Sequence, residues 1–142
     1  MNKLTIGIIS ALALAGTMPA KAQFKLVNPV PQNIQSTGFT QLPQSVSIKT
    51  SNNRDNSFAV ATLKNGMKVE SNAKFTITLG IKGDKCVKAY AKHLPQKAEG
   101  YWLNISDKGA VIIGNDEEGL FYGVQTLLGS IAKGKLEKGT VT

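Results

Sequence analysis

One block near the end of the chain constrains its fold more than any other. Ala110-Val111-Ile112-Ile113-Gly114 is an unbroken apolar run, Asn115-Asp116 is a turn and capping pair, and a helical pattern follows at once. An apolar run of this length reads as a strand buried on both faces. Asn115 or Asp116 can cap the helix, and Glu117 and Glu118 suit the positive end of its dipole. Leu120, Val124, Leu127, Leu128 and Ile131 recur at helical spacing as one apolar stripe. Lys133-Gly134 reads as a basic last turn and a C′ glycine, which makes this helix the last expected element. Gly119, Gly123 and Gly129 each lower helix propensity by about 1 kcal/mol relative to alanine. Small residues at those positions predict a close approach to a sheet or to another domain.

A strand that runs straight into a helix needs other strands beside it, and the rest of the chain offers them. Phe75–Ile81 alternates and is rich in β-branched residues, so it predicts a strand. Gly100–Ser106 predicts another, joined to Ala110–Gly114 through Asp107-Lys108-Gly109, a hairpin-type turn whose glycine is available for positive φ. Val46–Lys49 alternates as a half-buried strand does, and Gly38 to Pro43 reads as extended. Phe24–Val27, followed by Asn28-Pro29-Val30-Pro31, is extended because proline restricts itself and its neighbour. Ser51–Asn56 is a polar loop. Ser57–Lys64 has helical spacing, with Phe58, Ala61 and Leu63 as one side, and Asn65-Gly66 ends it. Gly83–Ala91 holds either a helical turn or a loop, up to Leu94-Pro95. The expected class is α+β: a small mixed sheet with helices packed on one face.

The first residues stand apart. Met1-Asn2-Lys3 is a positive start, Leu4 to Gly16 an uncharged apolar run, and Ala20-Lys21-Ala22 an A-x-A pattern. This is the form of a secretory signal peptide over residues 1–22, with cleavage expected before Gln23. The run is too short to span a membrane, and no second candidate follows. The expected product, 23–142, is one exported domain, periplasmic or extracellular. The net charge of +8 rests on scattered lysines with no arginine among them (Lys64, Lys68, Lys74, Lys82, Lys85, Lys88, Lys92, Lys97). Such a spread reads as a solvated surface, with polyanion binding the lesser alternative and no nucleic-acid site indicated.

The chemistry-bearing patterns are weak. Cys86 is the sole cysteine and His93 the sole histidine, so there is no internal disulfide and too few ligands for a His/Cys zinc site. Their pairing as nucleophile and base finds no oxyanion element beside it. Asp116-Glu117-Glu118 suggests acid–base work, but three consecutive carboxylates at a helix start diverge, and capping accounts for them. Gly114 to Gly119 has P-loop spacing without its Lys and Ser/Thr. Tyr101-Trp102, with Tyr90 and Tyr122, could form a sugar platform, although aromatics in strands and helices are more often core. Tyr101 and Trp102 are the tentative sugar or interdomain contacts. Asn104-Ile105-Ser106 matches the glycosylation sequon.

Leu79-Gly80-Ile81-Lys82-Gly83-Asp84-Lys85, Gly100-Tyr101-Trp102-Leu103 and Gly114–Leu127, with its Tyr122-Gly123-Val124-Gln125-Thr126-Leu127, together resemble an accessory domain. It is the N-terminal domain of bacterial β-N-acetylhexosaminidases. The likeness is nearest to glycoside hydrolase family 84, the O-GlcNAcase group, and family 20 shares the domain type. The resemblance implies a non-catalytic domain that supports a (β/α)8 barrel. In the larger enzymes that barrel holds two acidic residues assisting the substrate's own acetamido group. None of those positions exists in this chain, so the resemblance carries over no catalytic residue, cofactor or metal. It implies as partners a glycosidase barrel, in cis or from a neighbouring gene, and N-acetylglucosamine-containing glycans. A stand-alone carbohydrate-binding module is the alternative.

Overall fold

The computed structural model describes residues 23–24 and 29–142. The expected signal peptide, and most of the extended segment 24–27, lie outside the described residues. The strands are β1 (Ile34–Gln41), β2 (Ser47–Lys49), β3 (Thr76–Ile81), β4 (Tyr101–Ile105), β5 (Gly109–Gly114), β6 (Ile131–Ala132) and β7 (Lys135–Val141). The α-helices are α1 (Phe58–Gly66) and α2 (Glu117–Gly129). A 3-10 segment, Lys85–His93, occupies the stretch whose form the sequence left open.

All seven strands form one mixed sheet in the order β1-β7-β4-β5-β3-β2, with β6 also on β7. β2, β3 and β5 run parallel, and β4 pairs antiparallel with both β5 and β7. β1 pairs antiparallel with β7 through a bulge between Ser36 and Gly38. The α+β architecture expected from the sequence is the one observed. Strand alternation decides what each face buries. Tyr101, Leu103, Ile105, Ala110 and Ile112 join Leu120, Val124 and Leu127 of α2 and Ala59, Val60 and Leu63 of α1 in the main core. Trp102 and Ile113 point the other way and pack with Val87 under the 3-10 segment. β5 is therefore covered on both sides, as its apolar run requires. Each fully buried aliphatic side chain in this arrangement contributes roughly 1.5–3 kcal/mol.

Four local expectations are corrected. First, α2 stops at Gly129, and Lys133-Gly134 is a hairpin turn instead of a helix end. Lys133 (φ 52°) and Gly134 (φ 73°) both take left-handed conformations, as a two-residue primed turn between β6 and β7 demands. The chain thus continues into a seven-residue strand that local pattern does not announce. Second, α1 buries Ala59, Val60 and Leu63, while Phe58 is 71% exposed and Ala61 is also outside. The side facing α2 is set by where α2 lies, and local spacing cannot see that. Third, Gly109 does not use positive φ. It sits in β5 where a Cβ would come 2.5 Å from the Thr76 carbonyl oxygen of parallel β3. Fourth, the extended piece expected from Gly38 begins earlier, at Ile34, because β7 supplies its ladder partner.

Candidate interdomain surface

The junction between β5 and α2 is built from short-range chemistry. The Asp116 side chain caps α2, its Oδ1 accepting from the Gly119 N–H at 2.8 Å, and its Oδ2 accepts from the Glu99 N–H at 2.9 Å. Asn115 donates through its side-chain amide to the carbonyls of Pro95 and Lys97 and through its backbone N–H to Gly100. One turn thereby fixes the helix start and the loop before β4. The glycines make the approach possible. A Cβ at Gly119 would lie 2.2 Å from the Gly100 carbonyl oxygen, and one at Gly123 would lie 2.4 Å from Ile112 Cγ2. This is the close packing expected from the small residues of the helix.

Arg54, the only arginine in the chain, falls in the polar stretch Ser51–Asn56. It organises the edge where β3 and β5 end. Its Nε lies 3.0 Å from Asp84 Oδ2 and its Nη2 3.2 Å from Asp84 Oδ1, a two-pronged pair, and its Nη1 reaches Glu117 Oε1. Asp84 is 3% exposed and also accepts from the Ile81 N–H at 3.0 Å. The hydrogen bond to Asp84 is the main reason that Arg54 holds its proton more tightly than a free arginine, against an opposing effect of burial. The signal available in the sequence was the single arginine among many lysines, because a fixed fork suits a bidentate carboxylate and a lysine does not.

The carboxylates do not converge. Asp116 caps, Glu117 is held by Arg54, and Glu118 is exposed. Cys86 Sγ donates to the Leu79 carbonyl at 3.4 Å, while His93 stacks on Trp102 with ring centroids 4.5 Å apart. Each therefore has a packing role of its own. Among the described residues no three His, Cys, Asp or Glu side chains group as metal ligands. The eight scattered lysines are all exposed. The Asn104 side chain accepts from Thr140 at 3.0 Å across the β4–β7 ladder.

Tyr101 and Trp102 are adjacent in β4 and so face opposite sides. Both are buried, at 6% and 9% exposure. Tyr101 exchanges a 2.7 Å hydrogen bond with Thr126, and burial raises its phenol pKa, partly offset by that bond. Trp102 is covered by the rings of Tyr90 and His93. The two do not form one platform. The helices carry the exposed Phe58 and the half-buried Phe121 and Tyr122. Phe58 and Phe121 rings meet at 5.1 Å, and Phe121 and Tyr122 at 5.9 Å. Beside Tyr122 is a hollow of about 260 Å³ whose lining includes Pro31, Lys97, Glu99, Tyr101 and Thr142. Phe58 at 71% and Val30 at 69% are large apolar side chains left facing solvent on this side or its rim. The helical spacing that groups Phe58 with Ala61 and Leu63 does not show that Phe58 faces solvent.

Solved structures share the fold. CpGH84B is 25% identical over 81% of this chain and 22% of that one, with a TM-score of 0.64. The Streptomyces plicatus beta-hexosaminidase in complex with product is 20% identical over 88% of this chain and 27% of its own, TM-score 0.57. The beta-N-acetylhexosaminidase from Bacteroides fragilis is 18% identical, covering 81% and 23%, TM-score 0.53. The chain spans about a quarter of the length of these proteins. The pattern of glycosyl hydrolase family 20, domain 2, matches residues 26–142, so the chain belongs to that family of hexosaminidase accessory domains.

Proposed function

We propose that this chain is the non-catalytic accessory domain of an exported β-N-acetylhexosaminidase-type glycoside hydrolase, and that it braces a catalytic barrel carried in cis or by a neighbouring gene. The observation that carries the reading is the family match over 26–142, set beside coverage of only 22–27% of the similar solved chains. The site chemistry supports it: Asp116 caps α2 and Glu117 is held by Arg54, so the acidic run supplies no pair of uncommitted carboxylates. The exposed Phe58, in ring contact with half-buried Phe121, which in turn meets half-buried Tyr122, supports contact with another apolar surface. The hollow lined by Tyr122 and Thr142 adjoins these rings.

The test is hydrolysis. The purified chain is incubated with a chromogenic N-acetyl-β-glucosaminide, and no release above buffer is expected. Turnover that disappears on Glu117→Gln or Glu118→Gln substitution overturns the proposal.

A further inference from the structure

The most unusual group in the described residues is Glu137, a carboxylate on β7 with no exposed surface. Its Oε1 accepts from two successive backbone N–H groups, Gln23 at 2.7 Å and Phe24 at 2.9 Å. Its Oε2 is equally buried and has no hydrogen-bond partner among the described residues. Phe24 is fully buried in the main core and anchors this segment more than a hundred residues away in sequence from β7. A carboxylate withdrawn from water is stable only with hydrogen-bond donors or a counter-charge on both oxygens. The described donors serve only one of the two.

Gln23 is also the residue that becomes the first of the mature chain if the leader is removed after Ala22. We propose that Glu137 is the internal receptor for the α-ammonium group released at Gln23, so that leader removal completes the folded domain. The inference rests on the exported reading above. In the cleavage, water adds across the Ala22–Gln23 amide: the carbonyl carbon of Ala22 gains the hydroxyl and the C–N bond breaks. The Gln23 nitrogen keeps its hydrogen and takes the second one from water. The new carboxyl then gives up a proton and the new amine binds one, since an α-amine with an ordinary pKa of about 7.7–8.0 is mostly protonated at neutral pH. A nitrogen that supplied one hydrogen and no charge now supplies three hydrogens and a positive charge. It already stands 2.7 Å from Oε1, so the same nitrogen can serve both carboxylate oxygens.

The consequence is chemical protection of the amine. An N-terminal glutamine cyclises when its free amine attacks its own side-chain amide carbon and ammonia leaves. An ammonium group held by Glu137 has no lone pair for that attack.

The full chain is exported from a bacterial host, and the mature product is identified by intact mass and N-terminal sequencing. Folded protein is then treated with glutaminyl cyclase, and loss of ammonia is followed by mass. The expected result is a start at Gln23 and cyclisation at least about tenfold slower when folded than in urea-unfolded protein, set by local opening. Glu137→Gln and Glu137→Met, the second an apolar replacement of similar volume, should each remove the protection. Lys25→Gln should keep it, because Lys25 is the nearest other cation in sequence. A mature start elsewhere overturns the exported reading and the inference together. A start at Gln23 with an amine that cyclises as fast as in the unfolded chain overturns the inference alone. If neither Glu137 variant folds, protection retained in folded wild type but lost in Lys25→Gln also overturns it.

Discussion

Arg54 shows how much one side chain can hold at this edge. It joins a short loop, the end of β3 and the start of α2 through Asp84 and Glu117. Replacing it leaves Asp84, 3% exposed, with a single backbone donor. Arg54→Ala should therefore destabilise the domain by about 3 kcal/mol in urea denaturation, most of it the cost of an unpaired buried carboxylate. Arg54→Lys should recover only part, since an ammonium lacks the two-pronged geometry. Tyr101 gives a pH signature. Its folded-state pKa lies above its ordinary value of 10.0, chiefly because burial disfavours the phenolate. The folded state thus holds the proton more tightly, and the contribution is whole below pH 10 and is lost as pH rises through the folded-state pKa. Stability measured against pH should fall between pH 10 and the raised folded-state pKa and level off beyond it, and Tyr101→Phe should flatten the fall while costing about 1 kcal/mol at neutral pH through its lost bond to Thr126.

At the scale of elements, α2 is the piece on which both neighbours depend. It packs on the sheet through Gly119, Gly123, Leu120, Val124 and Leu127, and α1 packs on it in turn. Its start is specified locally by the Asp116 cap, which also holds the Glu99 backbone. Asp116→Ala should cost about 1–2 kcal/mol, and Asp116→Asn less, because asparagine keeps the cap on Gly119 but loses the second acceptor for the Glu99 N–H. Thermal unfolding followed by far-ultraviolet circular dichroism separates the two. The end of the helix has a different origin. Ser130 donates from its backbone and its hydroxyl to the Leu127 carbonyl, and β7 returns to bond its own carbonyl through the Glu137 N–H. α2 stops because β6 must begin, although its apolar stripe continues to Ile131.

For the whole molecule, the distribution of exposed apolar surface separates folding from assembly. Phe58 contributes little to the core at 71% exposure, yet it sits in an aromatic row with Phe121 and Tyr122. Phe58→Asp should leave the denaturation midpoint within about 0.5 kcal/mol of wild type. On the proposed bracing role, the same substitution should weaken binding of a separately supplied glycosidase barrel in a pull-down. The sequence by itself determined the parts whose causes are local. These are the apolar β5 run, a capping turn at Asn115-Asp116, the small residues of α2, the alternation of β3, and the motif set that marks the family. Tertiary structure decided the rest. β7 reads as Lys-Leu-Glu-Lys-Gly-Thr-Val, a poor strand on propensity, and becomes one because β1, β4 and β6 present unpaired ladders to it. The outward side of α1 depends on where α2 lies, and the pairing of Arg54 with Asp84 spans a separation that no local window covers. Glu137 is the extreme case. Its burial and its bonds to Gln23 and Phe24 come from segments more than a hundred residues apart meeting in the core, so a charged residue that would read as surface is enclosed.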